Sequence, residues 1–273
     1  MQFFTQFFKP SLKQYLMVVI VCLSAPAMAG EQIDKTLSSE GVNHINIENL
    51  SGETTIIGWS DSTVTVKGEL DKKAEGLIFE KKGSTIKIKV VMPRNYNQGW
   101  NSKGSVLAIN LPKDIRVNFS GVSSDVVAKQ LLADSEIKTV SGEIEASDLT
   151  GNIELNSVSG SISTKNLKGK IRLSSVSGDI NDKNSSGRLL LKAVSGEIAT
   201  VSSANEIYVN NVSGDIKLKL QQIDELEIST VSGDLETQLS LNKTGSMKVS
   251  SVSGDMNIRF QKEIEASFRL NAN

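Results

Sequence analysis

The sequence predicts an all-β protein, a β-solenoid of the single-stranded β-helix or roll type, with coils of about 18 residues behind an irregular β-rich N-terminal part. Three observations predict it. A phrase of Val-Ser-Gly, then an acid, then an aliphatic recurs at a near-constant interval. Aliphatic and polar residues alternate inside each interval. The composition, with Gly 21, Pro 4 and only 5% aromatic, suits short strands joined by tight turns.

The phrase begins at Val140, Val158, Val176, Val194, Val212, Val231 and Val252, at intervals of 18 residues up to Val212, then 19, then 21. One interval before Val140, Val122-Ser123-Ser124-Asp125-Val126 repeats it with the glycine replaced. A fixed period of this length marks stacked coils, each too small to bury its own apolar face. A weaker echo falls halfway, at Leu149-Thr150-Gly151-Asn152-Ile153 and Leu167-Lys168-Gly169-Lys170-Ile171, so each coil divides into two related half-turns.

Inside the coils, Ile171-x-Leu173, Ile207-x-Val209, Leu226-x-Ile228 and Met247-x-Val249 alternate with the period of a strand buried on one face. Stacked at the ~4.8 Å strand separation, the eight units from Val122 give a rod on the order of 40 Å long. In the phrase, the expected roles are an inward valine stacked on the next coil's valine, an outward serine, a glycine supplying positive φ, a solvated acid, and an aliphatic residue that re-enters the core. A slip of one residue would turn every aliphatic outward, which fixes the register.

Residues 30–120 form the irregular part. Thr63-Val64-Thr65-Val66, Thr85 to Val91 and Val106 to Leu111 alternate like half-buried strands, and this part is expected to cap the N-terminal end of the array. Met92 to Gly104 is polar, with Pro93, Gly99 and Gly104, and reads as an exposed loop. Residues 121–260 are the solenoid repeats. Residues 261–273 are a closing strand or cap, since Ile264 to Leu270 alternates again.

Residues 1–29 carry the parts of a secretory signal: Lys9 and Lys13, the apolar run Tyr15 to Leu23, and Ala27-Met28-Ala29 before Gly30. The run falls well short of the ~20 residues that span a bilayer. Cys22, the only cysteine, lies within it, and Val21 stands where a lipoprotein signal needs a small residue. The expected mature form is exported, does not span the membrane and makes no disulfide; the periplasm is the default destination, the cell surface or medium the others. A net charge of −1 supplies no overall basic field for nucleic acid.

The opening Leu50-Ser51-Gly52-Glu53 followed by Gly58-Trp59, the Asn110-Leu111-Pro112 step and the tandem Val-Ser-Gly-Asp-Ile phrases give the chain its family likeness. Over roughly residues 42 to 260 it resembles the bacterial secreted β-strand-repeat family of unknown function labelled "putative adhesin". The resemblance implies a β-solenoid at the cell envelope and brings no catalytic residues with it.

The most regular polar feature is the acid after the glycine: Glu143, Asp179, Glu197, Asp215, Asp234 and Asp255, interrupted by Ser161. Such a column is a candidate cation site or an acidic stripe for a basic partner. Calcium-binding β-rolls, however, use a denser G-x-G-x-D pattern, so solvated turn acids are expected, with no metal and no cofactor. A polysaccharide lyase or hydrolase is the competing reading, since β-helical folds host such enzymes and need paired carboxylates in a cleft. Against it, Tyr208 and Arg172 are lone outward positions without a repeated partner, and the 18-residue coils carry no insertions to wall a cleft. The single histidine, His44, sits on an outward strand position, and Trp59 reads as a packing residue. Tyr96 and Trp100, in the polar loop, are the candidate partner contacts. The expected function is therefore non-enzymatic: an adhesin, or an interaction or scaffold module for an envelope protein or glycan. An accessory role in envelope-stress signalling is a further alternative.

Overall fold

In the computed structural model, which describes residues 30–94 and 103–261, nineteen strands and no helix are found among the described residues, and all join one hydrogen-bonded sheet wound into a solenoid. The first part holds β1 (Gln32–Ser38), β2 (His44–Trp59), β3 (Thr63–Glu69), β4 (Gly76–Lys82), β5 (Thr85–Val91), β6 (Ser105–Pro112) and β7 (Arg116–Lys129). β2 is long enough to run along both faces of the rod. Its first half pairs in parallel with β5 on one side and β7 on the other, and its second half lies between β6 and β7. Ser51, Gly52 and Glu53 stand beside Ser123, Ser124 and Asp125, so the isolated Leu-Ser-Gly-Glu phrase is in register with the first repeat phrase. Antiparallel strands cover the N-terminal edge, β3 on β6, β1 on β3 and β4 on β5. They occupy backbone groups that an open sheet edge would offer to another chain.

The coils then contribute a strand to each face, short on one and mostly longer on the other. The series runs β8 (Ser135–Lys138), β9 (Ile144–Ser147), β10 (Thr150–Ser157), β11 (Ile162–Lys165), β12 (Lys168–Ser175), β13 (Ile180–Lys183), β14 (Ser186–Ala193), β15 (Ile198–Ser202) and β16 (Glu206–Asn211). It closes with β17 (Ile216–Ser229), β18 (Leu235–Ser250) and β19 (Met256–Phe260), and β17 and β18 each run through both faces. Every strand pairs in parallel with its counterpart one coil on, so like residues stack: Ile144, Ile162, Ile180, Ile198 and Ile216 on the short-strand face, Ile153, Ile171, Leu189 and Ile207 on the long-strand face. All are at most 2% exposed and fill the space between the faces. Met247 and Val249 point to the same interior but are only part-buried, because no described strand of the long-strand face lies beyond them.

The corner that carries the repeat phrase differs from expectation in two ways. The valine does not enter the core: Val122, Val140, Val158, Val176 and Val194 are 42–43% exposed, and Val252, with no described coil beyond it, is 81% exposed. The alternation of the preceding strand causes this. Leu155 and Ser157 face in, so Val158 faces out, and the side chain that fills the inside of the turn is the hydroxyl before it. Ser157 Oγ accepts the Gly160 N–H at 2.9 Å and donates to the Gly142 carbonyl at 3.3 Å; Ser175 does the same for Gly178 and Gly160. The second difference concerns glycine. Gly214, Gly233 and Gly254 have φ of +124°, +121° and +113°, as expected, but Gly142, Gly160, Gly178 and Gly196 do not adopt positive φ. These four are required for closeness: a Cβ on Gly160 would lie 1.8 Å from the carbonyl oxygen of Gly142. The aliphatic that follows re-enters the core in every coil from Ile144 to Leu235.

Candidate functional site

The repeat corner presents three parallel rows to solvent. Outermost is the valine row, with each member from Val122 to Val231 exposed by 42–49% and stacked on its neighbour. Beside it runs an exposed serine row from Ser141 to Ser253. Next comes the acid column, and its regularity has a structural cause. Asp125 Oδ1 accepts the Glu143 N–H at 2.9 Å, Asp179 Oδ1 the Glu197 N–H at 2.8 Å, Asp215 Oδ1 the Asp234 N–H at 3.1 Å, and Asp234 Oδ1 the Asp255 N–H at 3.0 Å. At the interruption the Ser161 hydroxyl accepts the Asp179 N–H at 3.3 Å, so serine does the same work with less charge. Asp125, Asp179, Asp215 and Asp234 therefore tie coil to coil as well as facing water. Asp179→Ala is expected to lower stability by about 0.5–1 kcal/mol, with the same loss in calcium and in chelator; a calcium-dependent rise in the parent's melting temperature would contradict this account. Among the described residues, no group of three or more His, Cys, Asp or Glu is placed to hold a metal ion.

The opposite corner is built differently. Gln130, Asp148, Asn166 and Asn184 occupy the left-handed region at φ of 57–59°, a conformation that Asn and Asp tolerate better than most residues. Asn166 Nδ2 donates to Asp148 Oδ1 at 2.9 Å, linking two coils. Leu131, Leu149 and Leu167 stack beneath, fully buried.

Tyr96 and Trp100 lie outside the described residues, as do residues 1–29, on which the expected signal and Cys22 fall, and residues 262–273. Tyr208 is not the lone side chain expected. Its hydroxyl donates to Glu225 Oε2 at 2.6 Å, and the Arg188 guanidinium lies 4.7 Å from its ring centroid. The hydrogen bond to Glu225 raises the phenol above its ordinary range, which disfavours a role as proton donor or base near neutrality. Trp59 is part-buried, with its indole N–H donating to the Thr63 carbonyl at 2.9 Å.

A family model described as Toastrack DUF4097 matches residues 42–272. The chain belongs to this family. Among solved structures, the Toastrack chain is similar in fold to a Parabacteroides distasonis protein named a putative adhesin, at 15% identity and TM-score 0.60, covering 84% of this chain and 97% of that one. A Parabacteroides merdae protein of the same description aligns at 12% identity and TM-score 0.56 over 85% and 97% of the two chains. A second P. distasonis protein, named a putative lipid binding protein, aligns at 20% identity and TM-score 0.55 over 83% and 97%. A search of curated proteins finds no match.

On the long-strand face of this Toastrack chain, His44, Arg116, Asp134, Glu136, Glu154 and Arg172 line a shallow depression of about 400 Å³. Asp134 there is held below the ordinary carboxylate range by the Asn152 backbone N–H at 3.0 Å and by Arg116 at 3.4 Å. An acid kept ionised in this way is a poor proton donor to a glycosidic oxygen. No helix among the described residues is long and apolar enough to cross a membrane.

The sequence reading missed the valine row as a surface feature. The signal was present: counting by twos from Leu155 or Leu173 puts Ser157 and Ser175 inside and the following valine outside.

Proposed function

We propose that this chain is an exported, non-enzymatic interaction module that binds an envelope partner along its repeat corner. The observation that carries the reading is the outward valine of every coil. Core packing does not require an apolar residue at a position exposed by 42% or more, and a contiguous apolar stripe on a soluble surface marks a contact site. One valine and one serine per coil, repeated from Val122 to Val252, give weak contacts at regular spacing whose sum supplies affinity. The signal-like N-terminus supports export, and the fold shared with proteins named putative adhesins supports a binding role. The ionised Asp134 and the hydrogen-bonded Tyr208 weigh against a carbohydrate-cleaving centre.

The test replaces Val158, Val176 and Val194 together by Thr, which keeps the β-branched shape and removes apolar area. Binding of the purified protein to isolated envelope fractions and to a glycan array is expected to weaken on the order of tenfold or more, with circular dichroism and melting temperature unchanged. Equal binding by parent and variant, or depolymerisation of any glycan, would overturn the proposal.

A further inference from the structure

The net charge of −1 conceals a local separation. On the short-strand face the strand register places Lys129, Ser147, Lys165, Lys183, Val201, Lys219, Gln238 and Arg259 in one outward row, each beside the next. The row holds five cations and no acid. Its four lysines and Arg259 are exposed, and none of the five makes an ion pair with another described residue. Lys165 stands directly beside Lys183, an arrangement that costs stability between like charges one strand apart. Some cross-coil neighbours elsewhere on the rod are compensated, Arg116 with Asp134 at 3.4 Å, Lys217 with Glu197 at 2.9 Å and Lys248 with Glu227 at 2.8 Å, while Lys170 beside Arg188 and Glu206 beside Glu225 are like-charged pairs. The lysine row differs in its length and in holding one sign of charge throughout. Where it crosses β15 the outward residues become Ala199 and Val201, and there a depression of about 300 Å³ opens, lined by Lys183, Lys217, Lys219 and Glu236.

We infer that this row binds an extended acidic polysaccharide lying along the rod axis. Cations recur at one or two coil heights, roughly 5 or 10 Å at the parallel strand spacing, and the sugar units of an extended chain repeat at a comparable length. Carboxylates presented once per sugar or once per disaccharide then meet a lysine each, while the apolar floor at Ala199 and Val201 takes the C–H face of a ring. The row is one side chain wide. The next outward row, two residues earlier in the chain, holds Glu145, Lys217 and Glu236, and the acid column at the corner lies two residues beyond it, about 13 Å from the lysines. That strip fits a single polyanionic strand and repels a broad anionic surface such as a bilayer. The outward rows of this face carry no aromatic ring to stack a base. This binding site is separate from the valine row and shares with it only the reading of the rod as a repetitive binding module.

The test is titration of the purified protein with polygalacturonate, with neutral dextran, duplex DNA and anionic phospholipid vesicles in parallel, at low and high salt. The expected result is binding to polygalacturonate alone, falling with salt through counterion release. Lys165→Gln, Lys183→Gln and Lys219→Gln together should weaken it about tenfold or more. Lys138→Gln with Lys192→Gln on the other face, and the valine-to-threonine triple variant, should leave it unchanged. Absence of polygalacturonate binding, equal binding by the lysine triple variant, or preference for DNA or vesicles would overturn the inference. The valine row stands or falls by its own variant.

Discussion

Gly160→Ala is expected to destabilise the protein by about 3 kcal/mol, at the upper end of what overpacking costs. The added Cβ would sit 1.8 Å from the Gly142 oxygen and 2.4 Å from its carbonyl carbon. Both are backbone atoms, and neither can retreat freely, because Val158 and Ser159 donate to the Val140 carbonyl at 3.2 and 2.8 Å and Ser157 donates to Gly142 itself. Relief requires two coils to separate, which loosens the ladders on both faces and propagates to their neighbours. Gly83→Ala is the control: nothing lies within 4 Å of its Cβ, and only the left-handed φ of +60° opposes the substitution, at about 1 kcal/mol. Urea denaturation of the two variants measures the difference, and equal midpoints would show that the corner is not close-packed.

Asp182 produces the second large effect, and its sign is unusual for an acid. It is 1% exposed, on an inward position of β13 between Thr164 and Thr200, and its carboxylate accepts hydrogen bonds from Thr164 at 2.6 Å, Thr200 at 2.8 Å and the Ser185 hydroxyl. Burial raises its pKa above the ordinary 3.8, and the three hydroxyls only partly offset this. The folded state then holds a proton that the unfolded state has released, so stability falls as pH rises from the ordinary value through the raised one. The ionic penalty is complete above that window and absent below it. Asp134, lowered by its bonds to Asn152 and Arg116, acts in the opposite direction but at or below its ordinary value. Acidification from neutral pH should therefore stabilise the parent first and destabilise it only later. Asp182→Asn should abolish the first phase and match or exceed the parent at pH 7, by about 1 kcal/mol. Melting temperatures measured against pH decide this; a parent that only loses stability on acidification would contradict it.

Much of the architecture was legible because one chemical pattern repeats. The Ile144, Ile162, Ile180 ladder follows from period and alternation alone. The antiparallel cover of β1, β3 and β4 was not legible, since each of those strands occurs once and no repeated register identifies its partner. The valines were assigned inward on residue type, yet the geometry of the corner is decided by the small hydroxyl before them, which makes two hydrogen bonds where valine could make none. Asp182 is visible in hindsight by counting two from Ile180. The lysine row is hidden by arithmetic, because Lys165, Lys183 and Lys219 recur with the coil while the summed charge stays near zero. The spacing of the acid column follows from the repeat, whereas the backbone N–H partners of its aspartates emerge only once coils are stacked.

The most direct measurement of the central claim is sedimentation of the purified protein with isolated envelope material across a graded series: Val176→Thr alone, then with Val158→Thr, then with Val194→Thr. A repetitive binding ridge predicts that each step weakens association by a similar factor while the melting temperature stays constant. Association unchanged by all three substitutions would contradict it.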